Sequence, residues 1–157
     1  MKETFINSFK RGLHGTWSHP DPLQAIDGVD YITAGKRIEG YAFTIWQLSN
    51  HILSWAWQIV RRLQDKTPPP SDEKNNFYPV EEGPSSAEQW NEHRSELKQM
   101  GKEVEEILTD LDPKKQFGEW DNVTAVDNLM ILITHNSYHT AQIVALRKAL
   151  GAWKKSN

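Results

Sequence analysis

Apolar residues return every three or four positions along three long stretches of the chain, the spacing that lines one face of an α-helix. In the first, Ile45, Leu48, Ile52, Trp55, Ile59 and Leu63 form the stripe, with Thr44 and Gln47 just ahead as a capping box. It stops before Thr67-Pro68-Pro69-Pro70, where the rings remove amide donors and fix φ. The second runs from about Ser86 to Leu111, with a stripe of Trp90, Leu97, Met100, Val104, Ile107 and Leu111 and an expected capping box of Ser85 and Glu88. Charged residues cover its other faces, which places it at a surface. The third begins near Thr124, has Asp127 in its first turn, and sets Leu129, Leu132, Asn136, His139, Ile143, Leu146 and Leu150 on one seam before Gly151. Phe5, Ile6, Phe9 and Leu13 predict a shorter fourth helix near the start. No stretch carries a convincing period of two, so the expected fold is all-α, a four-helix bundle in a single domain over residues 1–157.

The segments between these stripes are long. Gly15 to Phe43 is rich in Gly, Pro and Asp, with one helical turn expected at Pro22 to Ile26. Asp65 to Ser85 holds five prolines. Connectors of this length cross a compact fold or build a site, and in a bundle they join parallel helices. The shorter link from Asp112 to Val123 suits antiparallel neighbours.

Composition narrows the chemistry. A chain of 157 residues is the size of one domain. Eighteen basic against twenty-one acidic residues leave a net charge of −3, the wrong sign for a partner of nucleic-acid phosphates. The absence of cysteine excludes disulfides, thiolate metal ligation, iron–sulfur clusters and cysteine nucleophiles, so any transition-metal site must use His and carboxylates. MKETFINSFKRG lacks the apolar segment of a secretory signal, and a cytoplasmic location is expected. Gly40 to Val60 has no charged residue, yet Thr44, Gln47, Ser49, Asn50, His51, Ser54 and Gln58 make it too polar to cross a membrane. A helix buried within one chain or between two subunits accounts for it better.

Histidine is the residue type that departs from the core pattern. His135 and His139 lie four apart, so both project from one helix face, a turn from each other. Asn136 and His139 occupy the middle of the apolar seam, with His135 at its edge, where a purely structural helix would carry leucine. Buried imidazoles cost about 1–3 kcal/mol unless partnered. His51, on the edge of the first stripe with no charge near it in sequence, is the third member. Two His from one helix and one from a facing helix would hold a cation and leave coordination positions open. A trio of hydrogen-bonded core histidines is the alternative. No Glu follows the first His of the pair, so the zincin motif is absent.

"TIWQLSNHILSW" (Thr44 to Trp55) and "ITHNSYHTAQIVALRKALG" (Ile133 to Gly151) resemble the two signature segments of the DinB-like/YfiT-like superfamily. The resemblance implies that His51, His135 and His139 hold a divalent metal in an up-down-down-up bundle, with a long crossover between the second and third helices and frequent assembly as homodimers. It also implies a choice of activities. Some members are S-transferases or isomerases using low-molecular-weight thiols, and many have no known activity. A thiol-activating, metal-dependent transferase is the first expectation. A metal-dependent hydrolase and a non-catalytic metal-binding or stress-response interaction protein are the alternatives. The lack of an adjacent carboxylate base favours the thiol reading, since a thiol ionises with less help. All-imidazole ligation suits Zn or Ni first, with Fe, Mn or Cu also able to bind.

Other residues carry weaker signals. Asn136 and Tyr138 are candidates for catalytic or substrate contacts, and Gln142 for supporting a ligand, though each could simply pack. His93, on the seam between Trp90 and Leu97, is expected at a surface edge, or facing the pocket if its helix runs parallel to that of His51. Trp46, Trp55, Trp57 and Trp90 could wall a pocket or fill the core, and His14 and His19 have no assigned role. Arg147, Lys148, Lys154 and Lys155 complement the final helix dipole, and Arg61 and Arg62 read as a solvated helix end.

Overall fold

A computed structural model describes residues 2–16, 18–66, 77–117 and 123–153, and these fold entirely as helix, turn and loop apart from one isolated bridge between Gln116 and Thr124. Among the described residues six helices follow in order: α1 (Lys2–Leu13), α2 (Pro22–Ala25), α3 (Tyr31–Ala34), α4 (Ile45–Leu63), α5 (Ala87–Asp110) and α6 (Ala125–Ala149). The all-α expectation holds among the described residues. The run Pro68-Pro69-Pro70, Trp17, Lys154 and Lys155 lie outside them.

The long helices start and stop where side chains satisfy free backbone groups. Thr44 Oγ1 accepts from the Gln47 amide while Gln47 Oε1 accepts from the Thr44 amide, and Thr124 and Asp127 repeat this exchange at the start of α6. The α5 cap is one residue later than expected. Ser86 accepts from the Gln89 amide, and the Ser85 amide and hydroxyl donate to Gln89 Oε1 at 2.6 Å and 3.0 Å, so Gln89 takes the part expected of Glu88. α6 ends in a Schellman turn: the Ala152 amide donates to Arg147 O at 2.8 Å and the Gly151 amide to Lys148 O at 3.1 Å. Gly151 takes φ +68, a conformation in which a Cβ would be strained. α2 matches the expected single turn, with Asp21 and Gln24 as its capping box, whereas α3, too short for periodicity to reveal, follows an Asp30 cap.

Helix α4 is the hub. It packs against α6 and α5, while α1 lies against both α5 and α6, and α2 bridges α5 and α6. His51 meets His139 and Trp55 meets His135, while Asp65 just beyond α4 pairs with Lys115 before α6, so these two helices run antiparallel. Trp46 lies beside Trp90 and Arg61 bonds Glu103, so α4 and α5 run parallel. All the predicted α4 stripe is buried except Trp55, which is half-buried, and the α6 seam is buried as far as Leu146. No described helix is long and apolar enough to cross a membrane.

Three residues differ from their sequence readings. His93 is buried in the core, with its ring 5.7 Å from Trp90 and 5.2 Å from Trp46. Arg147 does more than face the helix dipole: it is buried over Trp153 and donates to Ala25 O at 2.7 Å and Ala152 O at 3.0 Å, tying α2 and the final turn to α6. Arg61 covers the Trp57 ring and reaches Glu103, so it is only partly solvated.

Candidate metal centre

His51 lies on the face of α4 turned toward α6, and the four-residue spacing on α6 aims His135 and His139 back at it. The packing brings all three predicted ligands together. Each offers one ring nitrogen, and these nitrogens all lie within 4.8 Å of one another. His51 Nε2 and His135 Nε2 are 3.0 Å apart. Nitrogens held by one cation at about 2.0–2.1 Å lie roughly 3 Å from each other, so this pair is already at a ligating separation. Two such atoms can instead share one proton in a His–His hydrogen bond; they cannot both be protonated. The His51–His135 pair is therefore spaced as two ligands of one cation, and the third ring lies close enough for the donor set to suit one.

Burial sets the charge state. His51 is 2% exposed and His139 6%. The His135 pKa is pushed down to about 4, first by burial and then by the nearby His139, with the Asn136 side chain pulling weakly the other way. Burial also lowers the His139 pKa, against a smaller opposing effect from Gln142. Both rings are neutral near pH 7, the form in which imidazole donates a lone pair.

His139 is oriented as a ligand needs to be. Its Nδ1 lies 2.7 Å from Gln142 Oε1, an oxygen that can only accept, so Nδ1 carries the hydrogen and Nε2 keeps its lone pair free. Gln142→Leu is expected to weaken metal binding by about 10–100-fold, measured by competition with a chromogenic chelator, because the ring loses its fixed tautomer.

Around the triad the walls are aromatic. Trp55 lies 5.5 Å from His135, and the exposed Tyr138 presents its ring edge-on at 4.9 Å to His139. Tyr78, which periodicity could not single out, stacks on His51 with ring centres 3.9 Å apart. Burial raises the Tyr78 pKa, helped by the neighbouring Tyr138. Asn136 is placed differently: it is buried and lines a cleft with Leu13, Leu97 and Met100, on the side of α6 that faces α1 and α5.

The remaining histidines stand apart from this cluster. His14 pairs with Glu105 at 2.8 Å, and His19 joins Ser137 at 2.7 Å. His93 sits between its tryptophans. Compared with family models, curated proteins and solved structures, the chain finds no match.

Proposed function

We propose that the protein is a DinB-like metal protein, an up-down-down-up four-helix bundle whose crossover joins α4 to α5, and that it uses its metal to activate a low-molecular-weight thiol for transfer to an electrophile. The observation that carries this reading is the convergence of three histidine nitrogens from two antiparallel helices, two of them 3.0 Å apart. The parallel run of α4 and α5 supports the crossover, and the shared order of the signature segments supports the family.

His51, His135 and His139 would hold the cation, Zn or Ni first and Fe, Mn or Cu after them. A divalent cation there supplies Lewis acidity, lowering the pKa of a coordinated thiol so that the thiolate is available at neutral pH. The chain's own contribution is to keep the His135 and His139 rings neutral by burial, to fix the His139 tautomer through Gln142, and to set aromatic rings beside the site. No carboxylate joins the cluster among the described residues, so a general base for activating water is lacking there, which favours a thiol over hydrolysis. A cytoplasmic location and a homodimer complete the reading.

The test is spectroscopic. Protein reconstituted with cobalt and titrated with a low-molecular-weight thiol should show altered visible bands as sulfur joins three nitrogens. Unchanged bands with every thiol tried would reject thiol activation and leave hydrolysis or binding without turnover.

A further inference from the structure

All three ligands lie on long helices, and on α6 a hydrogen bond to Gln142 fixes the His139 ring. On α4 the His51 ring lies against an aromatic stack. Its imidazole is the third ring of a continuous stack in which Phe43 lies on Tyr78 at 3.8 Å and 1°, and Tyr78 lies on His51 at 3.9 Å and 3°. The Tyr78 ring also meets His139 edge-on at 6.4 Å.

Tyr78 comes from the connector between α4 and α5, and that segment is strapped down by the residues that cap α4. Thr44 Oγ1 donates to Glu82 O at 2.6 Å, and Gln47 Nε2 donates to Pro79 O at 3.1 Å. Arg37 adds a 2.7 Å bond to Glu82. Beneath them two backbones cross so closely that a Cβ on Gly35 would lie 2.9 Å from the Gly83 Cα, and one on Gly83 2.8 Å from the Gly35 Cα. Both positions require glycine for this contact. Phe77, at φ +65, turns the chain into the strap and packs on Trp55 at 5.2 Å. The capping box therefore has two tasks: its backbone exchange starts α4, and its remaining donors hold Tyr78 above a ligand one turn further along.

We infer that Tyr78 is a positioning residue of the metal centre, setting the plane of the His51 imidazole by face-to-face stacking from a strap anchored on the α4 cap. The inference rests on the metal-site reading above and adds a residue to it. Stacking restricts rotation of the His51 ring about its side-chain torsion, the task that Gln142 performs for His139 by a hydrogen bond. The ring is the active part and the hydroxyl is not needed, so Tyr78→Phe should behave as wild type. Tyr78→Leu keeps apolar bulk but has no flat face.

The experiment compares wild type, Tyr78→Phe and Tyr78→Leu, first without metal by NMR of the histidine rings and then by cobalt titration. In metal-free protein, the His51 ring protons should be shifted upfield by the Tyr78 ring current in wild type and Tyr78→Phe, and should move downfield in Tyr78→Leu. Cobalt affinity should then fall about 10–100-fold in Tyr78→Leu, with altered visible bands, and return in Tyr78→Phe. Wild-type affinity and bands in Tyr78→Leu would overturn the inference, as would an equal loss in Tyr78→Phe. A wild type that shows the ring shifts but takes up no cobalt would overturn the metal-site reading and this inference together.

Discussion

His139→Ala is expected to remain folded and to lose metal binding by more than about a hundredfold, beyond what a supporting residue costs. His51→Ala and His135→Ala should do the same. The reason is geometric: three nitrogens from two helices form the whole donor set of the described residues, and none of the remaining histidines lies in their cluster to replace one. The fold survives because apolar seams fill the core, with Ile52, Ile59, Leu129, Leu132 and Ile143 almost wholly buried on the two helices that carry the site. Metal content of untagged protein, with circular dichroism as the check on folding, decides the matter. Near one equivalent in wild type and none in the three variants would establish the ligands. His93→Ala supplies the control, since it removes an equally buried histidine outside the cluster and should keep its metal. If wild type takes up neither Zn nor Ni after reconstitution, the 3.0 Å contact is a His–His hydrogen bond and the triad is part of the core.

The helices and the His135–His139 pair were legible in the sequence because both depend on local spacing, whereas the meeting of His51 with that pair depends on how α4 packs against α6. Apolar positions at three and four placed α4, α5 and α6, and reciprocal side-chain and backbone bonds marked the starts of α4 and α6. A pair of histidines one turn apart needs only one helix to be correct. Tyr78 could not be found in this way. Its place over His51 depends on hydrogen bonds to Pro79 and Glu82 carbonyls from residues more than 30 positions earlier, and a connector has no period that reports such contacts. His93 was misplaced for another reason. Its position on the α5 seam was visible, but a lone histidine in a charged helix looks solvated until the partner helix is known to present Trp46 against it. Arg147 is the same case in reverse: a basic residue in a last helical turn suits the dipole whether exposed or buried, and only the nearby Ala25 carbonyl shows which.

Acid should destabilise the metal-free protein, with His93 a main cause. The ring is 4% exposed, its Nε2 finds no hydrogen-bond partner among the described residues, and burial pushes its pKa down from 6.5 to about 4. The unfolded chain therefore binds a proton between pH 6.5 and 4 that the folded protein refuses at this position. Stability is complete above pH 6.5 and declines as pH falls toward 4, because the unfolded state binds more protons across that window. A depression of this size corresponds to roughly 3 kcal/mol when the window has been crossed, and to about 2 kcal/mol between pH 7 and pH 5. His135 and His139 shift in the same direction and steepen the decline in metal-free protein. His93→Phe isolates the effect, since a phenyl ring can still stack beside Trp90 but takes up no proton. Urea unfolding of chelator-treated protein should lose about 2 kcal/mol less between pH 7 and pH 5 in the variant than in wild type. Equal losses in the two would mean that His93 accepts its proton in the folded state, and that the pocket between Trp46 and Trp90 admits enough water to solvate the charge.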